Sequence, residues 1–279
     1  GKVFDPRNVD KDIDKVSWSV PYHKTNNKYY DPAYGEPAQG RFQLPETKLL
    51  SEKYIKEALA KGMTKAEANN EANIKIRPTT EGIDVPDNAY EDGVLALQAK
   101  EQLIKMAKDT KPYFMAVGFH KPHLPFVAPK KYWDLYDRES MPLASFQEHA
   151  KNSPLIAYHK SGELLNYPDI PASVTLSGDS LRIGLKVSKQ KELIHGYYAA
   201  VSYLDAQVGI LLNTLDSLGI TNNTIVVLWG DHGWHLGDHG LWCSLCSLKG
   251  IYRSGYHCIC VRCSCQCCLW WRHLALGHL

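Results

Sequence analysis

The stretch TIVVLWGDHGWHLGDHGLW, residues 224–242, joins a short apolar run to a loop rich in aspartate and histidine. The run at 224–230 is rich in β-branched and other apolar residues and ends at glycine, which predicts a strand buried on both faces. The loop that follows carries five candidate metal-binding or acid–base side chains, namely Asp231, His232, His235, Asp238 and His239. In α/β sheets, ligands bind beyond the carboxyl ends of parallel strands, so the loop after this strand is a candidate site.

The segments before this strand predict further α/β units. Residues 190–218 predict a long helix, because apolar side chains recur at steps of three and four, and Gly219 is a suitable C-cap. Residues 88–109 predict another helix, and YFMAVGF at 113–119 predicts a second buried strand. Residues 52–73 predict an exposed helical insertion. The repeated order of helix, strand and polar loop predicts an α/β fold with a mainly parallel central sheet flanked by helices.

The predicted strand at 113–119 also ends in a polar loop, HKPHLPF at 120–126. A histidine and a lysine two residues apart, such as Lys121 and His123, can supply a proton and a fixed positive charge to a leaving group. A carboxylate at a strand end, such as Asp231, can bind a hard cation such as Ca²⁺ or Mg²⁺.

Each of these side chains also has a structural interpretation. His120 can be a half-buried histidine with satisfied hydrogen bonds, His123 an ordinary loop residue, and Asp231 the N-cap of a helical turn. Three further side chains of the second loop can be local hydrogen-bond partners rather than metal ligands, namely His235, Asp238 and His239.

The overall composition excludes several classes of protein. A net charge of +2, with 22% charged residues among 279, gives no basic surface of the kind that binds nucleic acid, so no nucleic-acid partner is expected. No apolar run approaches the roughly 18 residues that a membrane span needs. The first residues, GKVFDPRNVD, do not resemble a secretory signal.

The cysteines divide the chain into two regions, 1–242 and 243–279. All eight cysteines lie in 243–279, and that tail contains no Asp or Glu. One interpretation is a disordered, out-of-frame translation product. Alternatively, Cys243 and Cys246 with Cys260 and Cys263 form a zinc site, or the cysteines form disulfides in an exported protein.

Four stretches together resemble the sulfatase family: GKVF at 1–4, GFHKPHLPF at 118–126, YYAAVSYLDAQVGILLNTLDSLG at 197–219, and the opening stretch. They are most similar to the iduronate-2-sulfatase group of the alkaline-phosphatase-like superfamily. This resemblance implies that residues 1–242 are a partial alkaline-phosphatase-like sandwich. It also implies hydrolysis of a sulfate ester on a small molecule or glycan, one bound Ca²⁺, and export to a periplasmic, extracellular or lysosomal location.

The resemblance also implies roles for particular residues. Asp231 resembles a metal ligand, and His232 its neighbour at both the metal and the sulfate. Lys2 resembles the lysine that holds the sulfate during catalysis, and His123 the histidine beside the leaving oxygen of the ester. Lys121 is assigned to substrate binding with His123.

The chain departs from the family pattern at three places. Asp5 stands where the iduronate-2-sulfatase group has histidine, and Ser244 stands where the family has a lysine that reaches the sulfate. The family's nucleophile is formylglycine, made from a Cys or Ser in a C/S-x-P-x-R motif, and residues 1–279 contain no such motif. We therefore expect a truncated catalytic domain that has no sulfatase activity by itself.

Two alternative functions differ in the metal they need. A phosphohydrolase or phosphodiesterase of the same superfamily would bind two metal ions, whereas a sulfatase binds one Ca²⁺. A non-catalytic zinc-binding module in the cysteine-rich tail would bind zinc through Cys243 and its neighbours.

Overall fold

A computed structural model describes residues 3, 18–20, 24–149, 151–152, 162–170, 184–230 and 233–242, together with the backbone of 258–262. Its helices are α1 (Pro45–Ala60), α2 (Lys65–Ile76), α3 (Glu91–Met106), α4 (Lys130–Trp133), α5 (Gly162–Leu165) and α6 (Val187–Ser217). Its strands are β1 (Thr80–Ile83), β2 (Phe126–Pro129), β3 (Val226–Trp229) and β4 (Cys258–Arg262).

The described strands form two separate pairs. β1 and β2 are parallel, with Thr80 opposite Phe126, whereas β3 and β4 are antiparallel, with Val227 opposite Cys260. The fold class is therefore α/β, as predicted. The parallel pair is formed by β1 and β2, which the apolar pattern did not predict.

The long helix α6 lies directly against β1 and β2 because it presents a glycine there. A methyl group added at Gly196 would lie 2.9 Å from Cη2 of Trp133 and 3.0 Å from Cβ of Phe126. Ala199 and Ala200, on the following turn, are fully buried. Small side chains thus allow α6 to pack closely on the sheet and on α4.

A buried tyrosine joins α6 to the start of α3. The hydroxyl of Tyr203 accepts a hydrogen bond from the backbone N–H of Gly93 at 2.7 Å and donates one to the carbonyl of Asp87 at 2.9 Å. Burial raises the pKa of Tyr203 well above its usual value, so the hydroxyl stays protonated and keeps its donor. This contact fixes the first turn of α3, which carries two acidic residues used at the candidate site.

The predicted helices are confirmed, with one change. The helices predicted at 88–109 and 190–218 are α3 and α6, and Gly219 adopts the left-handed conformation of a C-cap, with φ 68°. The insertion predicted at 52–73 is two helices, α1 and α2. Gly62, with φ 83°, ends the first, and a capping box between Thr64 and Glu67 begins the second. No helix in the described part of the chain is long and apolar enough to cross a membrane.

The prediction of two fully buried strands is wrong for the described residues. Residues 113–119 form no strand, and the side chain of Phe114 is 79% exposed. β3 is a strand as predicted, but Trp229 at its end is 63% exposed. An apolar run is buried only where neighbouring strands and helices cover it, and the described residues do not cover either run.

Candidate functional site

The loop at 120–125 is fixed at its start by a buried carboxylate. Asp92, in the first turn of α3, is only 2% exposed. Its two carboxylate oxygens accept hydrogen bonds from the backbone N–H groups of His120 at 3.0 Å and Lys121 at 2.8 Å. A buried carboxylate with two such partners holds the backbone in one conformation. The peptide bonds before Pro122 and Pro125 are cis.

The end of the same loop is fixed by the side chain of Lys121. Its Nζ donates hydrogen bonds to the carbonyl oxygens of His123 at 2.8 Å and Pro125 at 2.6 Å. Burial lowers the pKa of Lys121 to about 8; Asp92 opposes that shift and the charge of Arg41 adds to it. Lysine has three N–H donors, so one remains for the substrate contact predicted for Lys121.

His123 is oriented by contacts on both nitrogens of its ring. Nδ1 lies 2.8 Å from the carbonyl oxygen of Leu124, and Nε2 lies 3.1 Å from Oε1 of Glu163 at the start of α5. A carbonyl oxygen can only accept, so Nδ1 must carry a proton. The carboxylate of Glu163 can accept a hydrogen bond from Nε2 when that nitrogen carries a proton. The side chain is 38% exposed, and His123 lines the cavity described below.

His120 matches the structural interpretation rather than a ligand. Its Nδ1 lies 3.3 Å from a carboxylate oxygen of Glu91. Burial raises the pKa of Glu91, but the hydrogen bond and charge of His120 outweigh burial and hold that pKa below its usual value. The pair thus stabilises the loop against α3.

A cavity of about 260 Å³ opens beside this loop. It is lined by charged and aromatic side chains from four parts of the chain, including Arg41, Tyr90, Glu91, His120, Lys121 and His123. This volume is just below the roughly 300–1,000 Å³ of typical ligand pockets.

The loop after β3 packs against the loop that carries His123. The ring of Trp234 lies edge-on to that of Phe126, with centroids 5.4 Å apart. Leu241 and Trp242, at the end of the same loop, are almost fully buried. Trp234 lies three residues after Asp231, and Phe126 three after His123, so the two polar loops predicted from the sequence meet in space.

Three of the predicted site residues, Lys2, Asp231 and His232, lie outside the described residues, and so do Asp5 and Ser244. The side chains of the cysteine-rich tail also lie outside them, including the pairs predicted for zinc. Within the described ranges, no three His, Cys, Asp or Glu side chains are grouped so that they could hold a metal ion. The predicted metal site therefore stays a prediction.

The remaining histidines of the second loop have local contacts. The ring of His239 lies 5.1 Å from that of Phe146, and its backbone N–H donates to the carbonyl of Phe146. The backbone N–H of Asp238 donates to the carbonyl of His235. These contacts fit the local structural role that the sequence also allowed.

Sequence reasoning missed three residues of the site. Asp92 and Glu163 hold the loop and His123, and Arg41 lines the cavity. None of them lies in a recognisable motif. Two acidic residues in the first turn of a helix, as in α3, favour a helix start and do not by themselves indicate a site.

Comparison with known proteins now identifies the family. The sulfatase family model matches residues 21–257. This chain belongs to the sulfatase family. It is 33% identical to human iduronate 2-sulfatase and 36% identical to the mouse enzyme, each over 246 residues that make up 87% of this chain. It is also 27% identical over 177 residues to the choline-sulfatase of Rhizobium meliloti, which covers 59% of this chain and 30% of that protein.

The family prediction from the four stretches is thus confirmed. The match covers 38% of the human and mouse iduronate 2-sulfatases, so this sulfatase chain spans well under half the length of those relatives. The family model also extends beyond residue 242 into the cysteine-rich tail and ends at residue 257. The backbone of β4, which begins just after that match, pairs with β3.

Proposed function

We propose that this chain forms the leaving-group side of a sulfatase active site, where His123 protonates the ester oxygen as the S–O bond breaks. The packing of Trp234 on Phe126 carries this proposal. It brings the loop that begins with Asp231 beside the loop that holds His123. The family membership supplies the reaction, which is hydrolysis of a sulfate ester, and the substrate class is a sulfated small molecule or glycan.

The geometry of His123 supports its role as the acid. Its Nδ1–H is held by the carbonyl of Leu124, so the ring cannot turn and Nε2 is the atom that transfers a proton. The family's nucleophile would form the new bond to sulfur and take the sulfuryl group; as the S–O bond to the leaving group breaks, its electron pair passes to the ester oxygen, and Nε2–H gives that oxygen its proton to form an alcohol. Glu163 supports the protonated imidazole before that step.

Lys121 and the buried Asp92 keep His123 in position. Asp92 fixes the backbone before His123, and the ammonium of Lys121 fixes the backbone at and after it. A general acid that is already oriented loses little entropy when the substrate binds. The remaining N–H of Lys121 is proposed to contact the substrate, and Lys2 is proposed to hold the sulfate.

The metal is proposed to be one Ca²⁺, held in part by Asp231 and His232. A carboxylate is a suitable ligand for Ca²⁺, but that ion takes six to eight donor atoms, so these two residues can supply only part of the site. A bound cation would stabilise negative charge on the sulfuryl group. For the parent sulfatase we propose export from the cytoplasm, as the family implies.

The first experiment measures binding of a sulfate ester, because no C/S-x-P-x-R motif occurs in 1–279 and we expect no turnover by this chain. Calorimetry with 4-nitrophenyl sulfate is expected to give about tenfold weaker binding to His123→Gln than to the wild type. Lys108→Gln, an exposed residue outside the cavity lining, is the control and should change affinity less than about twofold. Equal affinity in wild type and His123→Gln, or hydrolysis that survives His123→Gln, contradicts the proposal.

A second experiment tests the metal. Calcium titration in the presence of the ester should show one Ca²⁺ per chain, lost in Asp231→Asn and kept in Asp238→Asn. Two bound Zn²⁺ ions instead of one Ca²⁺ would favour a phosphohydrolase.

A further inference from the structure

His195 lies buried where α6 packs against the end of α4. Its side chain is only 7% exposed, and its ring lies edge-on to the rings of Trp133 and Tyr136, with centroids 4.8 and 6.4 Å away. It directly precedes Gly196, the residue whose missing side chain allows α6 to approach Trp133. The cavity beside His123 is lined by other residues. His195 is therefore a buried titratable group that the proposed reaction does not use.

Contacts on both ring nitrogens fix the protonation of His195. Nε2 lies 2.8 Å from the carbonyl oxygen of Trp133, and a carbonyl oxygen can only accept, so Nε2 carries a proton. Nδ1 lies 3.3 Å from Nε of Arg138. A guanidinium only donates and keeps its protons, so Nδ1 must be the acceptor and carry none. Both contacts are satisfied together only by the neutral ring with its proton on Nε2.

A second proton on His195 would conflict with this arrangement. It would lie on Nδ1 and point at the Nε–H of Arg138, so two donors would face each other. The ring would also become a cation beside a guanidinium, at a site that is shielded from water. A histidine in water takes up this proton as the pH falls through about 6.5. The folded chain can take it up only if the contact between His195 and Arg138 opens.

Arg138 is the cation that faces His195, and Tyr136 is a second titratable group in contact with it. Charged side chains on the neighbouring turns form pairs of their own: Lys191 with Glu139, Lys189 with Asp169 and Glu192, Lys130 with Asp134, and Lys131 with Asp87. On the side of the sheet, α6 meets Thr80 and Phe126, which are uncharged. The charge that a protonated His195 would meet is thus the positive charge of Arg138.

We propose that His195 and Arg138 form an acid-sensitive contact that holds α6 to the segment after α4 at neutral pH and releases it in acid. As the pH falls through about 6.5, the unfolded chain binds a proton at His195 that the folded contact excludes. The free energy of unfolding therefore falls with the pH, and this part of the stability is fully present only above that pH. Next to His195, Gly196 packs on Phe126, which packs on Trp234. Release of α6 thus loosens the packing that brings the two site loops together.

The experiment follows urea unfolding of the full chain by tryptophan fluorescence at pH 7.5, 6 and 5. Between pH 7.5 and 5 the urea midpoint of the wild type is expected to fall by about 0.5 M more than that of His195→Gln. Glutamine can still donate to the carbonyl of Trp133 but takes up no proton. The other histidines titrate in both proteins, so the difference between the two midpoints isolates His195. A difference that stays constant from pH 7.5 to 5 overturns the proposal.

Arg138→Gln tests the same contact from its exposed side. The amide oxygen of glutamine can accept from a protonated Nδ1, so the midpoint of this variant should fall by about 0.25 M less than that of the wild type over the same pH range. Lys108→Gln, which also removes one exposed positive charge, is the control and should fall as the wild type does. Equal falls in Arg138→Gln and Lys108→Gln overturn the proposal, whether or not His195→Gln folds.

NMR of the chain labelled with ¹⁵N-histidine checks the tautomer directly. The imidazole signal that is missing from His195→Gln should show a neutral ring with its proton on Nε2 at pH 7.5. A proton on Nδ1 at that pH, in either a neutral or a charged ring, would contradict the hydrogen bond from Arg138 and overturn the proposal.

Discussion

Replacing Lys121 by methionine should remove a specific pH dependence from the stability of the protein. In the folded chain the pKa of Lys121 is lowered from its usual 10.5 to about 8, chiefly by burial. Between these two values the unfolded chain binds more protons than the folded chain, so the free energy of unfolding rises with pH. The difference between the two pKa values corresponds to about 3 kcal/mol in the free energy of unfolding. About 2 kcal/mol of this stability should be gained between pH 7 and pH 9.5.

The measurement is urea unfolding followed by tryptophan fluorescence at several pH values from about 7 to 9.5. The difference in unfolding free energy between wild type and Lys121→Met should grow by about 2 kcal/mol over this range. Buried tyrosines with raised pKa values, such as Tyr203, destabilise the fold as pH rises through about 10, but they do so equally in both proteins. Taking the difference therefore removes their contribution.

Lys108→Met is the control, because Lys108 is exposed on the end of α3. Its pH profile should run parallel to that of the wild type. Lys121→Met also loses the hydrogen bonds from Lys121 to the loop carbonyls. This loss lowers the free energy of unfolding by the same amount at every pH, so it does not change how that free energy depends on pH. A wild-type curve parallel to that of Lys121→Met would refute the enclosed position of the ammonium, and with it the arrangement of the loop around His123.

Two further predictions concern the packing that positions the site. Gly196→Ala should lower the free energy of unfolding by about 1–3 kcal/mol, because the added methyl would meet Trp133 at 2.9 Å. Gly209→Ala, at a half-buried position of the same helix where an added methyl would meet nothing within 4 Å, should be neutral or slightly stabilising in the same urea assay; equal losses would contradict the close packing of α6. Asp92→Asn should cost about 1–3 kcal/mol, since one backbone N–H of the loop loses its acceptor, whereas the exposed Asp109→Asn should cost less than about 0.5 kcal/mol. Unchanged urea midpoints for Asp92→Asn would show that the carboxylate does not hold the loop.

Local patterns predicted the helices and part of the site. In α3 and α6, apolar residues recur at steps of three and four. This pattern depends only on neighbours along the chain, so both helices could be predicted from the sequence. The loop that contains Lys121 and His123 could also be predicted from contiguous residues, because its sequence resembles that of the sulfatase family. The family model confirms that resemblance.

The pairing and burial of the strands could not be predicted from local sequence patterns. The apolar runs at 113–119 and in β3 favoured strands buried on both faces, but burial depends on which segments lie alongside. β1 and β2 pair across more than forty residues; β1 (TEGI) is not an apolar run, and β2 (FVAP) is apolar over only four residues.

The sequence alone singled out Lys121 and His123 as candidate site residues, because their motif is contiguous. Only the tertiary structure decided what surrounds them: Asp92 reaches the loop from 28 positions away, Glu163 meets His123 from another helix, and Arg41 enters the cavity from a distant turn. Hydrogen bonds and charges act through space, so residues far apart in the chain determine how His123 is oriented and which charges line the cavity.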